Sequence, residues 1–199
     1  MEKCEFEEKE YEQPLNNQLL QGNNHLWTPG QVFEEHFGID AALEVHNPTF
    51  WGVLGYSGPL SGIVLEDYNW GYIWRRTNNK RNLPDYRLNA FIQTKRPEYL
   101  YGKSNAYSKL GIKGSYYRFI ITGHQQIALE RVSSRLGNKA LVVYACPAFH
   151  THQELFQNTR MNSLVAKSTF VKIRNMSGHE KWVYDQPGTM GLACSEVQL

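Results

Sequence analysis

Apolar positions along the chain follow two periods. Between residues 122 and 136 they fall at 128, 129, 132 and 136, the spacing of one helical face, and Gly137-Asn138 supplies a stop. Thr28-Pro29 places a cap and a first-turn proline ahead of Gln31–Phe37; Phe33 and Phe37 share a face there, and Gly38 ends the segment. Strand patterns occupy residues 39–45, 87–95, 117–121, 140–145, 170–173 and 182–184. Residues 47–82 alternate aromatics with Gly, Pro and Asn, which predicts short strands and loops, one of the strands over 71–75. Residues 98–117 read as a loop or short helix, and residues 151–165 as a further helix. Residues 1–24 are polar and contain Pro14, which predicts a surface-lying leader. The order predicts an α/β protein with a mixed sheet: a leader (1–24), a core (25–150) and an extension packed on the same domain (151–199).

Composition narrows the class. The chain has 199 residues, 41% hydrophobic and 20% charged, enough to bury about 70% of its unfolded surface without disulfide or metal staples. No apolar run approaches the roughly 18 residues of a membrane span, and the acidic start is unlike a signal peptide. Cys4, Cys146 and Cys194 are far apart and odd in number, so a reducing, cytoplasmic setting is expected, with no membrane partner. The net charge of +2 divides into −4 over residues 1–12 and +6 over the remainder. The basic body permits a polyanionic partner, and basic residues cluster at 75–81 and 95–113.

One segment points to chemistry. In the strand ending at Arg96-Pro97, alternation sends Gln93 and Lys95 to one face and Ile92 and Thr94 to the other. A lysine's charge is costly to bury unless it meets anions. A strand that spends core space on this pair is expected to aim it at a site.

Ile92-Gln93-Thr94-Lys95-Arg96 resembles the last motif of the PD-(D/E)XK nuclease superfamily, in the Mrr-like variant where Gln replaces the acid. Gly38-Ile39-Asp40 upstream is similar to the Gly-Ile-Asp of that variant. The resemblance covers residues 28–150 and implies a restriction endonuclease-like core of α-β-β-β-α-β order. Residues 28–37 would be the acid-bearing helix, 39–95 the three strands, 122–136 the second helix and 140–145 the closing strand. The implied activity is metal-dependent endonucleolytic hydrolysis of DNA phosphodiester bonds with Mg2+, or Mn2+ as substitute, in a restriction or anti-invader role. Asp40 would be the principal metal ligand and Gln93 would contribute its amide oxygen. Lys95 would orient the attacking water and stabilise the phosphate. Glu34, in preference to Glu35, would bind or position a second metal. Asp85, in the literal Pro84-Asp85, competes with Asp40; a continuous strand would put it about 26 Å from Gln93, so Asp40 ranks first. Gln125 or Gln126 would reach the phosphate or a metal-bound water. Arg75, Arg76, Lys80, Arg81, Arg96 and Lys103 are the candidate nucleic-acid contacts. The partner is DNA, with a homodimer or a place in a larger complex left open. The alternative is a catalytically inactive nucleic-acid-binding module of the same fold, acting as a subunit of such a complex.

Overall fold

The computed structural model describes residues 2–195; Met1 and residues 196–199, the last of the extension, lie outside the description. In chain order the elements begin with β1 (Glu2–Lys3), α1 (Glu8–Leu20), β2 (Leu26–Trp27), α2 (Gln31–Phe37), β3 (Ala41–Leu43), α3 (Pro48–Val53) and β4 (Ile63–Val64). The middle of the chain forms α4 (Gly71–Thr77), β5 (Arg87–Leu88), β6 (Ala90–Thr94), β7 (Glu98–Leu100), α5 (Asn105–Ser108) and β8 (Tyr116–Ile120). The remainder forms α6 (Gly123–Leu136), β9 (Leu141–Pro147), α7 (His152–Arg160), β10 (Ser168–Lys172), β11 (Lys181–Tyr184) and β12 (Leu192–Cys194). The protein is α/β.

The main sheet has the order β10-β9-β6-β3-β2. Strands β6 and β9 are parallel, joined through α6, and the other pairs are antiparallel. Thr122 caps α6 by accepting from the Gln125 N–H, and Leu129, Val132 and Leu136 are buried beneath it. The sheet is covered on both faces. Ala41, Leu43, Ala90, Ile92 and Val143 pack on Tyr11, Leu15 and Leu19 of α1 and on Phe50 and Trp51 of α3. Ala42, Phe91, Val142 and Tyr144 pack on Phe37, Trp70, Ile73, Leu129 and Phe119. That alternation is why β6 and β9 read as continuous apolar runs. A second, antiparallel sheet, β1-β7-β8-β11-β12, lies at the side of the second core, joined to it through Phe119, Trp182 and Tyr184.

Several expectations are corrected. Residues 1–24 are not a surface-lying leader. Helix α1 is seated in the core, with Tyr11, Leu15 and Leu19 at 0% exposure, and the Tyr11 hydroxyl donates to Ser168 Oγ at 2.7 Å. Its start is a capping box between Glu7 and Glu10. Pro14 lies inside the helix and removes only one N–H from the ladder. Residues 71–75 form a helix, not a strand: Ile73 is buried and Trp74 packs at the edge of the same core. A second unexpected helix follows Asn47, whose side chain accepts from the Thr49 and Phe50 N–H groups with Pro48 at the first position. Helix α2 starts after Gly30 rather than at Thr28.

Candidate functional site

The site is built where β3 begins and β6 ends. The backbone N–H of Asp40 donates to Ile92 O at 2.9 Å, which fixes Asp40 beside the last residues of β6. Asp40 is 4% exposed. Oδ2 accepts three bonds, from Gln93 Nε2 at 2.9 Å, from the Thr94 N–H at 2.7 Å and from the Thr94 hydroxyl; Oδ1 takes none of them. Gln93 is 2% exposed and also donates to Thr94 O at 3.2 Å. Both its amide hydrogens are therefore used, while Oε1 is buried with no partner. An unpaired buried carbonyl oxygen costs about 1–3 kcal/mol. The Nε2 end of the amide faces the Asp40 carboxylate and Oε1 is its free end, an oxygen of the kind hard cations accept.

Lys95 follows directly, its N–H bonded to Ala145 O at 2.8 Å. It lines a cavity of about 550 Å³ together with Glu8, Glu7, Cys4 and Arg96. Glu8, in the first turn of α1, is partly buried. Burial first, then Asp40 and Glu12, push its carboxyl up to about 7, against the pull of the Lys95 ammonium and the Arg96 N–H. One turn on, Glu12 is 4% exposed and binds Lys9 at 2.6 Å. Burial raises the Glu12 carboxyl; Lys9 opposes the shift, and Asp40 and Glu34 add to it. Lys9 loses to burial but gains more from Glu12, Asp40 and Glu34, so its net shift is upward. Glu8, Lys9, Glu12, Glu34, Asp40 and Lys95 thus form one electrostatic cluster.

Glu34 enters it from α2. It lines a second cavity, of about 410 Å³, with Glu35, Thr122, His124 and Gln125. Gly38 makes this possible. At φ +70°, a Cβ there would stand 3.0 Å from Leu129 Cγ and 3.2 Å from Gln125 O, so only glycine lets the end of α2 sit on α6.

Other expected site residues are not brought in. Asp85 is exposed in the loop before β5, and the chain runs on from β5 to β6 without a hairpin, so it stands at the far end of the strand. Gln126 is core: it donates to Glu130 and Ile173 O and accepts from the Tyr144 hydroxyl at 2.8 Å. Arg96 is engaged within the chain, with both Glu7 oxygens at 2.9 Å and with Cys4 O at 2.6 Å, and so clamps the segment before α1. Arg75, Arg76, Lys80, Arg81 and Lys103 are exposed, and Arg81 lies 5.2 Å over the Phe33 ring.

Sequence reasoning missed Glu8 and Glu12. Their signal was present: two acids four apart, interleaved with Tyr11, Leu15 and Leu19 at helical spacing. Among the described residues, no group of three or more His, Cys, Asp or Glu is arranged to hold a metal ion. A cation here would rest on the Asp40 carboxylate and the Gln93 amide oxygen. Also among the described residues, no helix is long and apolar enough to cross a membrane. In comparisons with known proteins, no family model, curated protein or solved structure matches the chain.

Proposed function

We propose that the protein is a divalent-metal-dependent nuclease of restriction endonuclease-like type, hydrolysing DNA phosphodiester bonds. The observation that carries this is the buried Asp40–Gln93 pair with its unpartnered Oε1, at the end of β6 from which Lys95 shares a cavity with Glu8. The order of elements supports it too. With α2, α3, β4, α4, β5, β7, α5 and β8 taken as insertions, helix α1, strands β2, β3 and β6, helix α6 and parallel strand β9 fit the α-β-β-β-α-β sequence, with the acid helix supplied by α1 instead of α2.

Asp40 and Gln93 Oε1 would hold Mg2+ or Mn2+, oxygen ligands of the kind these ions prefer. A bound ion supplies charge stabilisation and a water acidic enough to ionise near neutral pH. Lys95 contributes a fixed positive charge for the phosphate oxygens. Glu8, half ionised near neutrality, can accept a proton from water at that pH. Thr94 and the Gln93 amide hold the Asp40 carboxylate in one orientation.

The test is cleavage of plasmid and single-stranded DNA with Mg2+ or Mn2+, then with EDTA. Lys95→Ala should lower the metal-dependent rate by roughly 1,000-fold with the fold unchanged. Undiminished cleavage by that variant overturns the assignment. A second reading, a binding module without catalysis, is favoured by the saturation of Asp40 Oδ2 with three hydrogen bonds. Metal-independent DNA binding without cleavage would select it.

A further inference from the structure

A furrow runs from the Glu34 cavity along α6. The cavity that Glu34 shares with Gln125 meets a narrower one of about 170 Å³ at Glu35 and His124. That one opens, at Tyr72, Arg76, Ile127 and Arg131, into a third of about 740 Å³ that ends at Arg135. From His124 to Arg135 the helix rises about 17 Å. Arg131 and Arg135 are one turn apart on the same face of α6, and Arg76 faces them from α4.

Two features set these arginines apart from the others that, unlike Arg96 and Arg118, form no ion pair among the described residues. Arg135 is held in place, 4.6 Å over the Tyr72 ring and bonded to Asn69 O at 2.8 Å. The Tyr72 hydroxyl is buried without a partner at the floor of the furrow. Burial raises its pKa, and the nearby Arg135, Arg131 and Arg76 charges partly oppose that. Three carboxylates share the furrow: Glu130, which is bonded to Gln126, and Glu35 and Glu34 at the end towards the acidic cluster.

We propose that this furrow carries the phosphate backbone of a DNA strand towards the acidic site, with Arg76, Arg131 and Arg135 as phosphate contacts and the Tyr72 hydroxyl as an added donor. The inference rests on the nuclease reading for its partner and goes beyond it by assigning the track. A planar fork of donors suits phosphate oxygens, and unpaired surface arginines release counterions when they meet them. The exposed Ile127 side chain between His124 and Arg131 offers an apolar contact for a sugar or base face.

The test is anisotropy of a short labelled DNA duplex in EDTA, titrated with KCl, using the full chain. Arg76→Ala/Arg131→Ala removes two exposed side chains with no structural partner. It should weaken binding about tenfold or more and lower the slope of log Kd against log salt by about 2. Tyr72→Phe should weaken binding about threefold at an unchanged slope. Affinity and slope unchanged in the double variant overturn the proposal, as does wild-type binding that ignores salt. If the double variant loses binding while the wild type cleaves nothing, the track stands and the catalytic reading falls. If cleavage depends on Lys95 but the double variant binds normally, the reverse holds.

Discussion

The acidic cluster and the arginine furrow place charge in opposite ways. Around Asp40 the carboxylates are wholly or partly withdrawn from water, Asp40 is held by Gln93 and Thr94 and Glu12 by Lys9, and the charges shift one another. Along α6 the arginines stand at the surface, unpaired, and no carboxylate fixes their position. Buried charge is costly and must be matched by geometry; exposed charge costs little and acts at a distance. Substitutions in the first region should therefore change chemistry and stability together. Those in the second should change only association.

The largest expected effect is the loss of metal-dependent cleavage in Lys95→Ala, roughly 1,000-fold in a plasmid-nicking assay. Gln93→Leu comes next. It removes a donor from the buried Asp40 carboxylate, and urea unfolding should show a loss of about 2–3 kcal/mol. Glu8→Gln tests the raised carboxyl. The folded state holds the Glu8 proton up to about pH 7, above the ordinary value of 4.5, so wild-type stability falls as pH rises between those limits. The variant should lack that decline. Its thermal stability should match wild type at pH 4 and exceed it at pH 8 by on the order of 2 kcal/mol; equal stability at pH 8 would separate Glu8 from the cluster. The smallest effect is the stability change of Arg76→Ala/Arg131→Ala, within about 0.5 kcal/mol. A larger loss would mean the furrow is structural and the contrast between the regions is false.

The α6–β9 unit and strand β6 were legible because burial on both sheet faces writes itself as apolar runs, and α6 carries a clear cap and stop. The closeness of Asp40 and Gln93 was legible from Gly-Ile-Asp and Gln-x-Lys, two short motifs 53 residues apart. Helix α1 was not, because its composition is polar and its buried residues include Glu12, Asn16 and Gln18 beside the apolar stripe. Gln18 is buried because its side chain accepts from the Val165 N–H at 2.9 Å, a partner no local pattern reveals. The Arg131–Arg135 pair carries no signal of its own in the sequence. Its meaning depends on α4 standing opposite, and α4 had been read as a strand from its aromatics.

The seating of α1 also bears on when the site comes into being. Its anchors lie far along the chain: Tyr11 bonds to Ser168 and Gln18 to Val165, at separations of 157 and 147 residues. Contacts of such long range form late, after the intervening loop has closed. Glu8 and Glu12 therefore reach Asp40 only once the β9–β10 region has folded. Until that region is in place, α1 lacks these two anchors. Completion of the fold is thus the step that arms the cluster.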